Sequence, residues 1–251
     1  VFSSGTYTPQ ILTDDNPVAL MGDSQTAGIS TTNAGPGYGY SKAYRLGTIY
    51  QYFTQSRDVI AGGIPGSCVV NNSQMGVSSM MSSWRGPMFA TASNVLFCMQ
   101  GAINDIQPSV TVSSVTPSQI AACYMALTQS ALAVGNGVLL IGTTPIDASF
   151  NSIGVATALS YNSSVSLVNA AVRSVAEQNN VGFYSPFNFV CSISGKSTTA
   201  PGFLTGLTPD GVHLGSGVAN DLGSGMTTQN VAGSICQRAA QAYDKQLRLG
   251  Q

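Results

Sequence analysis

The sequence predicts a three-layer α/β/α sandwich built on a central parallel sheet, and two observations carry that prediction. Short apolar runs of strand length, mostly without in-and-out alternation, take turns with longer segments whose apolar residues recur at helical spacing. The 251 residues, 43% of them hydrophobic, are enough for one packed core. No linker or break in composition divides them, so a single domain over residues 1–251 is expected.

Taken in chain order, the first strand is expected over residues 18–21, and it runs directly into Gly22-Asp23-Ser24. A Gly/Pro/Ser-rich loop over 30–41 follows. Residues 42–56 then place Ala43, Leu46, Tyr50 and Phe53 on one helical face. Strands are expected over 59–62 and 95–99, each short and apolar enough to be buried on both sides. A helix over 117–134 opens after Thr116-Pro117-Ser118, a start signal, and carries Ile120, Tyr124, Leu127 and Ala131. After a strand over 138–142, a helix over 159–178 carries Val168, Ala171, Val172 and Val175 and stops at Asn179-Asn180. A fifth strand over 181–184, a polar loop over 192–209 and a last helix over 230–247 complete the series. Long loops at strand C-terminal ends are where open α/β sheets build sites.

Charge excludes one class of partner. Nine basic residues against ten acidic ones give a net charge of -1, and without a basic cluster no stripe forms that would release counterions from nucleic acid. Only 8% of residues are charged, so Ser, Thr, Asn, Gln and Gly must keep the surface wet, as expected of a secreted, surface or virion-associated protein. Runs such as Val138-Leu139-Leu140-Ile141 fall far short of the roughly 18 apolar residues of a membrane helix, so no membrane span is expected. The first residues, Val1-Phe2-Ser3, have neither an initiator methionine nor a basic segment, as in a processed chain. Cys68, Cys98, Cys123, Cys191 and Cys236 are dispersed without a C-x-x-C spacing; Cys98, inside an apolar run, is expected to be a buried thiol.

The chain contains one histidine, His213, three residues after Asp210 in Asp210-Gly211-Val212-His213. At that spacing on a helical turn the carboxylate can accept the imidazole proton and fix its tautomer. Acyl transfer also needs a nucleophile, and Ser24 stands at the end of the first strand. Two further segments follow strands, Gly63-Ile64-Pro65-Gly66 and Asn104-Asp105. Each can aim a backbone or side-chain amide at the crevice beside Ser24, as an oxyanion requires. Taken singly, each motif reads as readily as a turn.

Together, in this order after alternating strands, the four segments make the chain similar to the SGNH, or GDSL, hydrolase family across almost its whole length. That resemblance implies a flavodoxin-like sandwich and a serine ester hydrolase with no cofactor and no metal. Carried over residue by residue, it implies Ser24 as nucleophile, His213 as general base and Asp210 as the residue orienting it. It further implies an oxyanion hole made by the backbone amides of Ser24 and Gly66 and the side-chain amide of Asn104. The chain departs from the family at two places. Ala102 stands where the third block usually has glycine, with Gly101 one step earlier, and Gly63 competes with Gly66 as the amide donor.

Other chemistries find little support. A zinc site would have to draw on one histidine and scattered cysteines, and Gly195-Lys196-Ser197 has Val190 where a phosphate loop needs its first glycine. Asp14, Asp15 and Asp147 have no partner at a spacing readable as a glycosidase pair. For the substrate, Tyr38 and Tyr40 are candidates to stack on a sugar or to pack their loop, and Met80, Met81 and Trp84 to wall an acyl pocket or to fill the core. The leading expectation is removal of small acyl groups, acetyl among them, from a glycan. The alternatives are hydrolysis of longer acyl esters and a glycan-binding or virion-tail module without turnover. The partner is a small-molecule or glycan ester in the first two cases, and the oligomeric state is left open. Asn71 and Asn162 each begin an N-glycosylation sequon.

Overall fold

The fold is that of a computed structural model, which describes residues 18–24, 59–63, 66–70, 95–106, 115–148, 153–185, 187 and 212. The described elements are strands β1 (Val18–Gly22), β2 (Val59–Gly63) and β3 (Leu96–Gln100), a one-turn helix α1 (Ile103–Ile106) and helix α2 (Pro117–Ala133). Strand β4 (Gly137–Ile141), helix α3 (Gly154–Gln178) and strand β5 (Gly182–Tyr184) follow. The five strands form one sheet in the order β2-β1-β3-β4-β5, with every pairing parallel.

Register sets the geometry that matters for the site. Gly22 lies opposite Gly63, Met21 opposite Met99, and Gln100 opposite Ile141. The carboxyl ends of four adjacent strands are therefore level, and the segments leaving them emerge along one rim. The chain goes from β1 to β2 on one side and then returns across β1 to β3 on the other. The strand order reverses between β1 and β3, which is where open α/β sheets form their crevice.

Both faces of β3 and β4 are closed. Ala19, Met21, Phe97, Met99, Val138 and Leu140 pack in one core cluster with Ile120, Tyr124, Leu127 and Ala131 of α2 and Val168, Val172 and Val175 of α3. Their strand neighbours Leu96, Cys98 and Leu139 point the other way and are no more exposed, at 1%, 1% and 0%. Burial on both sides is why these strands read as continuous apolar runs. It also makes the molecule a three-layer sandwich. The expected burial of Cys98 holds, whereas β5, at the edge of the sheet, is only half-buried along its length.

The helix ends follow from local chemistry. Thr116 caps α2 with a capping box: the Gln119 N–H donates to Thr116 Oγ1 at 3.2 Å and the Thr116 N–H to Gln119 Oε1 at 2.8 Å, with Pro117 in the first turn. At its other end Gly135 takes φ +83°, and the N–H groups of Gly135 and Asn136 donate to Leu132 O and Ala131 O. That is a Schellman stop. Asn180 plays the same part after α3, with φ +52° and the Val181 N–H on Ala176 O at 3.0 Å. The sequence signals at the start of α2 and the end of α3 are read correctly, whereas the Gly135 stop is one the sequence reading did not name.

The start of α3 is not read correctly, for it begins at Gly154, five residues before the expected 159. Its preceding residue, Ile153, has αR backbone and no side-chain cap, and Gly154 itself has φ +78°. Nothing in the sequence announces such a start. The expected helices over 42–56 and 230–247, the loops 30–41 and 192–209, and Cys191 and Cys236 lie outside the described residues. Among the described residues, no helix is long and apolar enough to cross a membrane.

Candidate active site

The segments leaving β1, β2 and β3 are tied together by side chains of types a site needs. After β1, Asp23 and Ser24 are buried, at 1% and 6% exposure, and Ser24 has helical backbone directly beyond the strand. After β2, Gly66 has φ +72°, a left-handed conformation that explains a glycine there. Ser67, Cys68 and Val69 behind it are all buried. After β3, Ala102 turns the chain and α1 places Asn104 and Asp105, each 5% exposed.

Ser67 is the hub between these segments. Its hydroxyl donates to the Gly22 carbonyl at 3.4 Å, reaching β1, and its own carbonyl accepts the Asn104 Nδ2–H at 2.9 Å, reaching α1. This bond orients the Asn104 amide. Asp105 adds a second clamp. Its carboxylate accepts the Val69 N–H on Oδ2 and the Val70 N–H on Oδ1, both at 2.8 Å. The β2 segment is thereby locked in register with the β3 segment. Burial pushes the Asp105 carboxyl up to about 6, against the backbone N–H groups of Val69, Val70 and Asp105, which pull it down.

Cys68 sits in this loop, but its thiol is pushed up to about 12 by burial and then by the charges of Asp105 and Asp23. A thiol held in that form is a poor nucleophile at neutral pH.

A further chain of bonds reaches the same place from β4. The Thr143 hydroxyl donates to the Gly101 carbonyl. Thr143 is itself bracketed by Asn169 of α3, whose Oδ1 accepts the Thr143 N–H at 2.8 Å and whose Nδ2–H donates to Thr143 O at 2.9 Å. Gly142 permits that approach, since a Cβ there would lie 2.7 Å from Asn169 Oδ1. Two turns earlier on the same stripe of α3, Asn162 makes the same pair of bonds to Ile146 N and O, at 2.8 and 2.9 Å. With 0% exposure, Asn162 offers no amide for glycosylation in the folded chain. The Asn71 sequon lies outside the described residues.

Of the residues the sequence singles out, Ser24, Gly66 and Asn104 are described, and the structure brings them to one rim at the β1/β3 switch point. Gly66 rather than Gly63 leads into the loop that Asn104 and Asp105 hold, because Gly63 is the last residue of β2. The departure at Ala102 has a structural consequence: it takes φ +81°, so an alanine here adopts the conformation that suits a glycine. Asp210, His213, Tyr38, Tyr40, Trp84, Met80 and Met81 lie outside the described residues. Between Asp210 and His213, Val212 is 4% exposed, in a small core cluster with Ile103, Ile146, Val165 and Phe187. Sequence reasoning missed Ser67, Thr143 and Asn169 and assigned no role to Asp105. Only Asp105 had a signal, its place beside Asn104 after a strand.

No protein-family model matches the chain, and no curated protein matches it in sequence. Solved structures do match in fold. A carbohydrate acetylesterase family member from Sinorhizobium meliloti is 16% identical with a TM-score of 0.64, covering 92% of this chain and 98% of that one. An acetyl-xylooligosaccharide esterase mutant from Geobacillus Stearmophilus is 16% identical with a TM-score of 0.62, covering 92% of this chain and 94% of that one. An aryl esterase of M. Smegmatis is 13% identical with a TM-score of 0.64, covering 91% of this chain and 99% of that one. The chain has the α/β/α fold on which these esterases are built.

Proposed function

We propose that the protein is a serine ester hydrolase of the SGNH type that removes acetyl groups from a carbohydrate. One observation carries the reading. Ser24, after β1, and the Asn104 amide, after the neighbouring strand β3, are joined through Ser67, which bonds to Gly22 O on one side and to Asn104 Nδ2 on the other. A nucleophile and an oxyanion donor fixed to one another is the arrangement acyl transfer requires.

In this reading Ser24 attacks the ester carbonyl while His213, the chain's one imidazole, takes the hydroxyl proton, with Asp210 orienting the ring. The tetrahedral oxyanion is held by the amides of Ser24, Gly66 and Asn104. His213 returns the proton to the leaving alcohol, and water repeats the cycle on the acyl-enzyme. Packing of Val212 in one cluster with Ile103 supports the Asp210 and His213 roles, because Ile103 precedes Asn104. The low content of charged side chains, 8%, supports a carbohydrate ester over a lipid, and the carbohydrate acetylesterases of the same fold support an acetylated sugar. No metal and no organic cofactor enters this scheme.

Acetate release from an acetylated polysaccharide, with Ser24→Ala as control, tests the proposal. Equal release by both chains rejects it. A strong preference for p-nitrophenyl decanoate over p-nitrophenyl acetate replaces the acetyl version with a longer-chain esterase. Polysaccharide binding without turnover of any activated ester makes the chain a binding module.

A further inference from the structure

The turn that delivers Asn104 is held from the neighbouring strand, and we infer that Thr143 is a positioning residue for the Asn104 amide, acting through Gly101 and Ala102. This deepens the esterase reading and rests on it. Only Gly101 and Ala102 separate the end of β3 from α1, so their backbone decides where Asn104 sits. Ala102 has φ +81°. That conformation brings a Cβ too close to the backbone, and it persists only where surrounding structure enforces it.

The enforcement comes from both sides. Ahead of Ala102, the Thr143 hydroxyl donates to the Gly101 carbonyl. Behind it, the Asp105 N–H donates to the Ala102 carbonyl at 3.2 Å. Thr143 cannot drift, because Asn169 holds its N–H at 2.8 Å and its carbonyl at 2.9 Å. With Thr143 2% exposed and Ala102 0% exposed, bulk water is kept from taking over the hydroxyl's bond.

Without that hydroxyl, Ala102 is drawn back toward negative φ. The peptide entering α1 rotates, and the Asn104 amide leaves the position set by its 2.9 Å bond to Ser67 O. A glycine at position 102 has no such preference to resist, and this separates a positioning role from ordinary packing.

The experiment compares the full chain with T143V, T143S, A102G and the T143V/A102G double variant. Steady-state kinetics on p-nitrophenyl acetate is one readout, and NMR exchange of the Asp105 amide, which reports the Ala102 turn directly, is the other. We expect T143V to lower kcat by about 30-fold with KM within about twofold, the mark of a displaced oxyanion donor. T143S, which keeps the hydroxyl, should stay within about threefold of the parent in kcat, and so should T143V when both chains carry A102G. Exchange at Asp105 should quicken about tenfold in T143V and slow again in the double variant.

Equal kinetic losses from T143V in both backgrounds, or Asp105 exchange unchanged by T143V, would overturn the inference. Failure of the esterase reading looks different: the parent chain would match Ser24→Ala on every ester. The exchange data alone would then decide whether Thr143 holds the turn.

Discussion

Asp105 sets two physical effects against each other, and replacing it with asparagine measures which prevails. Its carboxylate accepts two backbone N–H groups at 2.8 Å, which favours the charged form, yet it is 5% exposed, which disfavours it. Burial is the larger effect and raises the carboxyl from 3.8 to about 6. A folded-state value above the unfolded one means that the folded chain holds its proton longer. The stabilising contribution is therefore complete below about pH 4 and is lost as pH rises through about 6. A rise of about two units, at about 1.36 kcal/mol each, amounts to about 3 kcal/mol.

Asp105→Asn keeps the side-chain shape and one acceptor but removes the titration, so subtracting its stability cancels every other ionisable group. Urea unfolding of both chains, followed by far-ultraviolet circular dichroism at intervals between pH 4 and pH 7.5, gives the difference directly. The parent chain should lose about 3 kcal/mol relative to the variant across that range, with the steepest change between pH 4 and 6. A parent chain that gains on the variant as pH rises would show that the two N–H bonds outweigh burial, and the reasoning would fail.

The remaining predictions concern the donors, the base and the buried polar groups. Asn104→Ala should lower kcat on p-nitrophenyl acetate by about 10²–10³ with little change in KM, and a loss below about tenfold would remove Asn104 from the oxyanion hole. His213→Ala should abolish turnover of p-nitrophenyl acetate, and a variant that keeps near-parent activity leaves no other imidazole to account for it. Asn162→Ala should cost about 2–4 kcal/mol in urea unfolding, because both the N–H and the carbonyl of Ile146 lose their buried partner. Cys68, buried and pushed up to about 12, should resist a thiol reagent at pH 8 in the folded chain and react once urea is added; mass mapping of the labelled peptide reads this.

The difference between what the sequence disclosed and what it withheld has a physical basis. Strand positions were legible to within a residue because strands such as β3 and β4 are buried on both faces, and only unbroken apolar runs can occupy such places. The places of Ser24 and Asn104 along the rim were legible because each comes shortly after such a run, so locating the strand locates the residue. Thr143, Asn169 and Ser67 were not legible. Their roles depend on bonds between segments 26, 37, 42 and 45 positions apart, and a threonine or serine looks the same whether it bonds to water or to a buried carbonyl. A buried asparagine on the inner stripe of α3 even runs against helical patterning, which expects an apolar residue at positions 162 and 169.

Ala102 joins the two cases. Along the sequence it departs from the pattern the chain resembles. In the structure its φ of +81° is a conformation that suits glycine, imposed on a residue that does not favour it. The constraint a glycine would have met locally is met at a distance, by Thr143 and, through it, by Asn169. An alanine can therefore hold a conformation that suits glycine, provided that the neighbouring strand and helix hold the turn from outside. Placing glycine at position 102 should then make Asn169→Ala less damaging to kcat than it is in the parent chain. Equal loss of kcat in the two backgrounds would mean that Asn169 supports the β4 loop alone and contributes nothing to Asn104.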